Sequence, residues 1–412
     1  MTRAEAIYSA LPAESRDAFF QLVLYPVQAS ATVNELYVTV GLNRLYAEQG
    51  RTATNATALR ARELFLTDER LTRSYNEDLA EGKWRHFMDQ THIGYTYWQQ
   101  PYRNALPAIT EVQVPRAAEL GVAIEGSPRA WPGHDPGQGR ATLPVMDPWG
   151  ARERTLEIFN RGRDSFSFSV RASAAWLRVE PMAGEVAEGV RVFVSVDWDR
   201  VPAGNQEASL SIEGPSGQSV VVEVPVFRPE AIDAISGFVE SDGHISIEAE
   251  HFDRAVETRG ITWEVLEDHG RTLSSVTPFP VTSKSLEPGG DAPRIEYDVH
   301  LFSSGALSVD LYTAPSLSFV PGRGLRCAVS WDDAVPEIVE VHADPSHRDW
   351  QRAVRDGVRR SRTQHELAEP GRHVLKVWMV DPGFVLQKIV VDTGGLRPSE
   401  LGPPESTRVP LP

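Results

Sequence analysis

Apolar positions change their spacing along this chain, and the change divides it. Over the first hundred residues they recur at intervals of three and four. Phe19, Leu22 and Val23 follow Ser15, Val33, Tyr37 and Val40 fall at i, i+4 and i+7, and Leu71, Tyr75 and Leu79 share a face. Thr2 and Glu5 have capping-box spacing, Pro12 ends a first short helix, and Ser15 can cap the next. Pro26 is expected to kink or break that second helix, because proline lacks the N–H a helix interior needs, and Gly50 is a stop. With further patterns around Leu59 to Phe65 and after Thr67, residues 1–105 read as a bundle of four or five helices.

From Pro101 proline and glycine crowd the chain, as in Trp131-Pro132-Gly133-His134-Asp135-Pro136-Gly137, and 106–152 reads as a long connection with some extended pieces. Residues 153–230 then alternate with period two, in Phe166, Phe168, Val170, in Val190 to Trp198 and in Val220 to Val226. Turn residues separate the runs, which predicts an immunoglobulin-like β-sandwich. A second alternating region, 231–395, contains Ile245 and Ile247, then Ile295, Tyr297, Val299 and Leu301, and later Val374, Lys376 and Trp378. One helix, Ser346 to Arg362, interrupts it, and the size suits a jelly-roll β-sandwich. The proline-rich tail, 396–412, is expected to lie as an extended strap or to fray. The fold class is therefore multidomain α + β.

Composition narrows the functions. Of 412 residues 41% are hydrophobic and 24% charged, which suits a globular chain, and no apolar run approaches a membrane span. Forty-one basic against fifty-seven acidic residues give a net charge of -16, which repels phosphate backbones. The basic cluster Arg352, Arg355, Arg359, Arg360 and Arg362 reads as a solvated helix face. The single cysteine, Cys327, excludes an intrachain disulfide and reads as a core residue of an alternating strand. No signal peptide is visible, so the chain is cytoplasmic if Met1 is the native start.

No phosphate loop, His-Glu-x-x-His, Gly-x-Ser-x-Gly or (β/α)8 alternation occurs. The densest polar and aromatic run lies between Gly82 and Pro101. There Asp89 with His86 or His92 could form an oriented acid/base pair, and Trp84, Tyr95, Tyr97 and Trp98 could stack on sugar rings; the bland alternative is packing at the end of the bundle. Glu248 and Glu250, at i and i+2 of a strand, share a face and could reach one hard cation such as calcium, or stand as exposed edge charges.

The run Arg16-Asp17-Ala18-Phe19-Phe20-Gln21-Leu22-Val23-Leu24-Tyr25-Pro26-Val27 resembles glycoside hydrolase family 115, as do Asn34-Glu35-Leu36-Tyr37, Gly82-Lys83-Trp84-Arg85-His86 and Asp89-Gln90-Thr91-His92-Ile93-Gly94-Tyr95. The endings Val391-Asp392-Thr393-Gly394-Gly395-Leu396-Arg397-Pro398-Ser399 and Leu401-Gly402-Pro403-Pro404-Glu405-Ser406 resemble that family's C-terminus. The family's enzymes are xylan α-1,2-glucuronidases. The resemblance covers only their C-terminal half, behind the catalytic barrel that carries the principal carboxylates, so it implies no catalytic residue here. Ala174-Ala175-Trp176-Leu177 and Val196-Asp197-Trp198 are similar to a BACON-type module. Glu248-Ala249-Glu250 with Gly383-Phe384-Val385-Leu386-Gln387-Lys388-Ile389 is similar to family 6 and 35 carbohydrate-binding modules. Those modules hold a structural calcium with an early glutamate pair and a late acid, and Gln387 stands where the acid is expected.

The resemblance thus implies an accessory region, inactive alone, that supports or docks on a catalytic barrel or pairs with a second copy. Two other readings are a free-standing binder of xylan-type polysaccharide, and a half-enzyme completing a hydrolase site in trans with His92 and Tyr95 against the sugar acid. No cofactor is required beyond an optional structural calcium, and neither nucleic acid nor membrane is an expected partner.

Overall fold

A computed structural model describes residues 1–97, 99–133, 139–344 and 346–410. The chain divides into two compact units: residues 1–144, 153–197 and 207–224, and residues 145–152, 198–206 and 225–412.

The first unit opens with helices α1 (Thr2–Ala10), α2 (Ala13–Phe19), α3 (Tyr25–Gln49) and α4 (Thr54–Arg73). Helix α1 starts at Thr2 with no side-chain cap, so the Thr2–Glu5 capping box is not formed. Pro26 does not break the next helix. A single π turn, Phe20–Leu24, lies just ahead of it, with the Tyr25 N–H bonded to the Phe20 carbonyl, and helix runs from Ala13 to Gln49. The wider turn passes the proline within a helical path. Gly50, at φ +69°, then ends α3 in the left-handed conformation that glycine adopts without a Cβ clash. Helix α4 merges the two apolar patterns expected on either side of Thr67, whose hydroxyl bonds back to the Glu63 carbonyl (2.8 Å) without interrupting the helix. Leu36, Val40, Ala61, Leu64 and Ile93 form the core between α3 and α4. Beyond Gly82 the expected helices give way to turns and irregular backbone.

The rest of the unit is a sandwich. One sheet orders Ala130–Trp131, Leu120–Ile124, Glu153–Asn160, Gly189–Val196 and Leu177–Glu180; the other orders Ala141–Thr142, Ser219–Arg228, Gly204–Glu213, Phe166–Ala172 and Ala183–Val186. The strand Leu120–Ile124 comes from the stretch read as a connection. All five of its residues are buried, so it shows no alternation to find.

The turn between α3 and α4 is anchored in this sandwich by two arginines. Arg51 (5% exposed) lies 4.3 Å from the ring centroids of both Tyr46 and Phe159 and pairs with Glu157. Burial alone would push the Glu157 carboxyl up; Arg51 and Arg191 overturn that and hold it below its ordinary range. Arg161 (7% exposed) donates to the carbonyls of Gln49 (3.1 Å) and Pro132 (2.9 Å). The Thr52 N–H and hydroxyl bond to the carbonyls of Asn160 and Gly162.

The second unit is a larger sandwich. Its first sheet orders Glu337–Glu340, Arg326–Trp331, Gly371–Met379, Arg294–Leu301, Gly237–Val239 and Arg408–Val409. Its second orders Thr262–Leu266, Ser275–Phe279, Leu386–Asp392, Gly305–Thr313 and Arg359–Leu367, with His244–Glu248 also paired to Leu386–Asp392. Ile295, Tyr297, Val299 and Leu301 are fully buried between the sheets, and the Tyr297 hydroxyl donates to the Ala249 carbonyl (2.7 Å). Cys327 is fully buried there, and burial pushes its thiol up to about 12. The expected long helix ends early: α5 spans His347–Asp356, capped by Ser346 and stopped by Gly357 at φ +65°. Arg359, Arg360 and Arg362 therefore lie on a strand. Gly357 reads as a helix stop in hindsight, but helical spacing of the arginines masked it. The tail is a strap, with Ser406 bonded both ways to Ser246 and Arg408–Val409 paired with Gly237–Val239.

Replacing Arg51 with alanine strips Glu157 of its buried partner and removes a cation from the Tyr46 and Phe159 rings. The expected loss is about 3 kcal/mol in urea unfolding, against less than about 1 kcal/mol for alanine at the exposed pair Arg60–Glu35.

Candidate functional site

Two groups of residues were candidates for chemistry. The first, from Trp84 to Tyr97, lies on irregular backbone beyond α4, and Trp98 is outside the described residues. Asp89 pairs with His86, 2.7 Å from its Nδ1, and accepts from the Asn76 amide (3.0 Å); it does not meet His92. His92 instead faces Asp68 on α4, with Nε2 2.8 Å from both carboxylate oxygens and Nδ1 3.0 Å from the Gln90 carbonyl. Both ring nitrogens meet acceptors, an arrangement that favours the doubly protonated ring. The hydrogen bond to Asp68 accordingly raises its pKa above the ordinary 6.5, against the opposing effect of burial. Neither nitrogen is free to take up a proton. Asp68, only 2% exposed, was not singled out because it sits 24 residues upstream on a polar stretch of helix.

The rings divide. Trp84 is half-buried against the Tyr25, Tyr75 and Leu79 cluster and stacks edge-on with Phe87, while the Lys83 ammonium lies 5.3 Å from its ring. Tyr95 and Tyr97 are exposed; the Tyr95 hydroxyl donates to the Thr91 carbonyl, and that of Tyr97 to Gln99.

The second group is Glu248, Glu250 and Gln387. Only Glu248 lies on the strand; the chain turns into a 3-10 helix at Ala249–His251, so the two glutamates do not share a strand face. Glu248 (4% exposed) faces Lys388 across the ladder, with Nζ 3.0 Å from Oε1, and the Thr272 hydroxyl lies 2.8 and 2.9 Å from its two oxygens. The same ammonium donates to the Pro403 carbonyl in the tail (3.1 Å). Glu250 accepts from the Ser274 N–H, and the Gln387 amide donates to the Gly357 carbonyl, turning a donor to its surroundings. These residues do not fit a calcium ion: a buried ammonium already neutralises the one well-placed carboxylate, and the late acid is an amide. No cluster of three or more histidine, cysteine, aspartate or glutamate side chains suited to a metal occurs among the described residues. The signal that could have found this was Lys388 itself, next to Gln387 in the motif.

The described residues thus form a helical lead followed by two β-sandwiches. Residues 237–405 match the family model described as the glycosyl hydrolase family 115 C-terminal domain, in agreement with the motifs near the C-terminal end, and residues 146–225 match the viral BACON domain. Among solved structures, the chain is similar to a family GH115 4-O-methyl-α-glucuronidase with specificity for decorated arabinogalactans (13% identity, TM-score 0.46). The likeness covers 94% of this chain and 31% of that one, so the chain spans about a third of that enzyme's length. It is also similar to a family 6 carbohydrate-binding module of Cellvibrio mixtus lichenase 5A in complex with cellotriose (15% identity, 36% of this chain and 95% of that one, TM-score 0.24). A family 35 module from Clostridium thermocellum has 12% identity, with 36% of this chain and 96% of that one covered and a TM-score of 0.25. No curated protein matches.

Three measurements check these assignments. Because the folded pKa of His92 is raised, its stabilisation is fully present below about pH 6.5 and is lost as pH rises through the folded value. His92→Ala should lower the melting temperature by roughly 2–4 °C at pH 5.5 and by less at pH 9. A chelator should leave the melting temperature unchanged. Lys388→Met should cost about 3–5 kcal/mol at pH 7.

Proposed function

We propose that this chain is the supporting, non-catalytic part of a family 115-type glycoside hydrolase, and that it docks through its helices on a catalytic barrel carried elsewhere. The observation that carries this reading is a helical surface with apolar side chains left in solvent at helical spacing. Val38 (62% exposed) and Leu42 lie one turn apart on α3, and Leu59 and Leu66 lie two turns apart on α4, at 56% and 50% exposure. Faces of this kind lose free energy in water and gain it against a partner. The match of residues 237–405 to a C-terminal domain supports a hydrolase as the partner. Both ring nitrogens of His92 are engaged within the chain, which speaks against that ring serving as an acid or base in trans.

A second reading, binding of a xylan-type polysaccharide by the chain itself, is favoured by the exposed rings of Tyr95 and Tyr97.

Mixed with the separately produced catalytic barrel of a family 115 enzyme, the chain should form a 1:1 complex by light scattering, with a Kd below about 10 μM. The double variants Val38→Glu/Leu42→Glu and Leu59→Glu/Leu66→Glu map the surface, and at least one should weaken the complex tenfold or more. Absence of any complex, or release of 4-O-methylglucuronic acid from glucuronoxylan by this chain alone, would overturn the reading.

A further inference from the structure

The strand Arg359–Leu367 belongs to the second sheet of the second unit and the strand Gly371–Met379 to its first, so residues 368–370 carry the chain from one sheet to the other. Three rings stand at this crossing. Trp331, 2% exposed, ends the strand Arg326–Trp331 of the first sheet; His365 precedes the crossing and His373 follows it. The indole meets both imidazoles in T-shaped contacts, with its centroid 6.4 Å from that of His365 and 6.2 Å from that of His373. Backbone ladders join strands within a sheet, so here ring contacts, beside the core residues Leu307, Leu367 and Leu375, hold one sheet against the other.

The two histidines are fixed differently. His373 Nδ1 lies 2.8 Å from an Asp332 carboxylate oxygen, and its Nε2 lies 3.1 Å from the carbonyl of Glu369, within the crossing. Asp332 sits at φ +47°, a left-handed conformation unfavourable to a residue with a Cβ, and its other oxygen accepts from the Val374 N–H (2.8 Å). His365 is half-buried and has no carboxylate partner. Its Nε2 lies 2.8 Å from the Thr363 hydroxyl, and Nδ1 has no hydrogen-bond partner among the described residues. The groups that face it are Leu307, opposite on the ladder, Trp331 across the sheets with His373 beyond, and Glu337 on the strand Glu337–Glu340. Burial holds the His365 pKa below the ordinary 6.5, against the exposed carboxylate of Glu337, which favours the charged ring.

Charging His365 puts a cation between a hydroxyl and an indole whose own Nε1–H is already buried without an acceptor, so neither neighbour answers a second N–H. The neutral ring is the one the fold favours. Its stabilisation is present above the ordinary 6.5 and is lost as pH falls through the folded value, the opposite sign to His92 in the first unit. We infer that Trp331, His365 and His373 form an acid-sensitive clasp across the two sheets, in which proton uptake by His365 releases the crossing at residues 368–370 while the core strands stay folded.

Amide hydrogen exchange of the full chain, read by mass spectrometry and corrected for intrinsic rate, tests this at about pH 7.5 and about pH 5.5. Protection over residues 364–374 should fall roughly threefold or more in acid, while the core strand Arg294–Leu301 keeps its own. In His365→Phe, which keeps a ring beside Trp331 but cannot take up a proton, the fall should disappear. Exchange at the imidazole C2 position gives the titration midpoint of His365 in the unaltered chain, whether or not the variant folds, and this midpoint should lie below 6.5. Protection unchanged by acid, an equal fall in His365→Phe, or a fall shared by the core strand overturns the inference. So does a midpoint at or above 6.5, because the indole is then receiving the cation rather than being displaced by it.

Discussion

A cation taken out of water must have its donors answered, and both units of this protein are organised around that constraint. In the first, Arg51 of the α3–α4 turn and Arg161 at the end of the strand Glu153–Asn160 meet where two rings, a glutamate and backbone carbonyls receive them. In the second, Lys388 lies under the tail between Glu248 and the Pro403 carbonyl. The desolvation cost of such groups is several kcal/mol each, so the surrounding segments are held in the one arrangement that offsets it. Helix, sandwich and strap are registered by their buried charges as much as by their apolar cores.

That constraint also explains the absence of fit to calcium. The carbohydrate-binding modules that the second unit resembles were expected to place a divalent ion against an early glutamate pair. Here a side-chain ammonium from the neighbouring strand stands against Glu248, and a strand-to-helix turn carries Glu250 away. A covalently tethered cation needs no supply from solution and cannot be stripped by a chelator. It ties the paired strands His244–Glu248 and Leu386–Asp392 directly to the proline-rich ending.

Much of the architecture was legible from spacing. The period-two runs Ile295 to Leu301 and Val220 to Val226 became strands with those residues buried, and Gly50 ended its helix as expected. The failures were local and physical. Pro26 was absorbed by a π turn, Leu120–Ile124 is buried on both faces and so shows no alternation, and the arginines after Gly357 kept an apparent helical spacing on what is a strand. Among the candidate site residues, His86 and His92 both stand three positions from Asp89, so spacing left either as its partner, and only His86 meets it. The sequence had no means of placing His92 against Asp68.

Composition, turn residues and hydrophobic period determined on their own that this is a helical lead with two β-sandwiches, because those signals are carried by neighbours a few positions apart. Motifs of contiguous residues likewise sufficed to mark the family resemblance. Which charges are paired was decided only by tertiary structure: Arg51 meets Glu157 across 106 positions, Glu248 meets Lys388 across a ladder, and Arg360 meets the tail 39 and 40 positions on. Ion pairing falls off with distance in space and is blind to distance along the chain, so no local pattern could have chosen the partners.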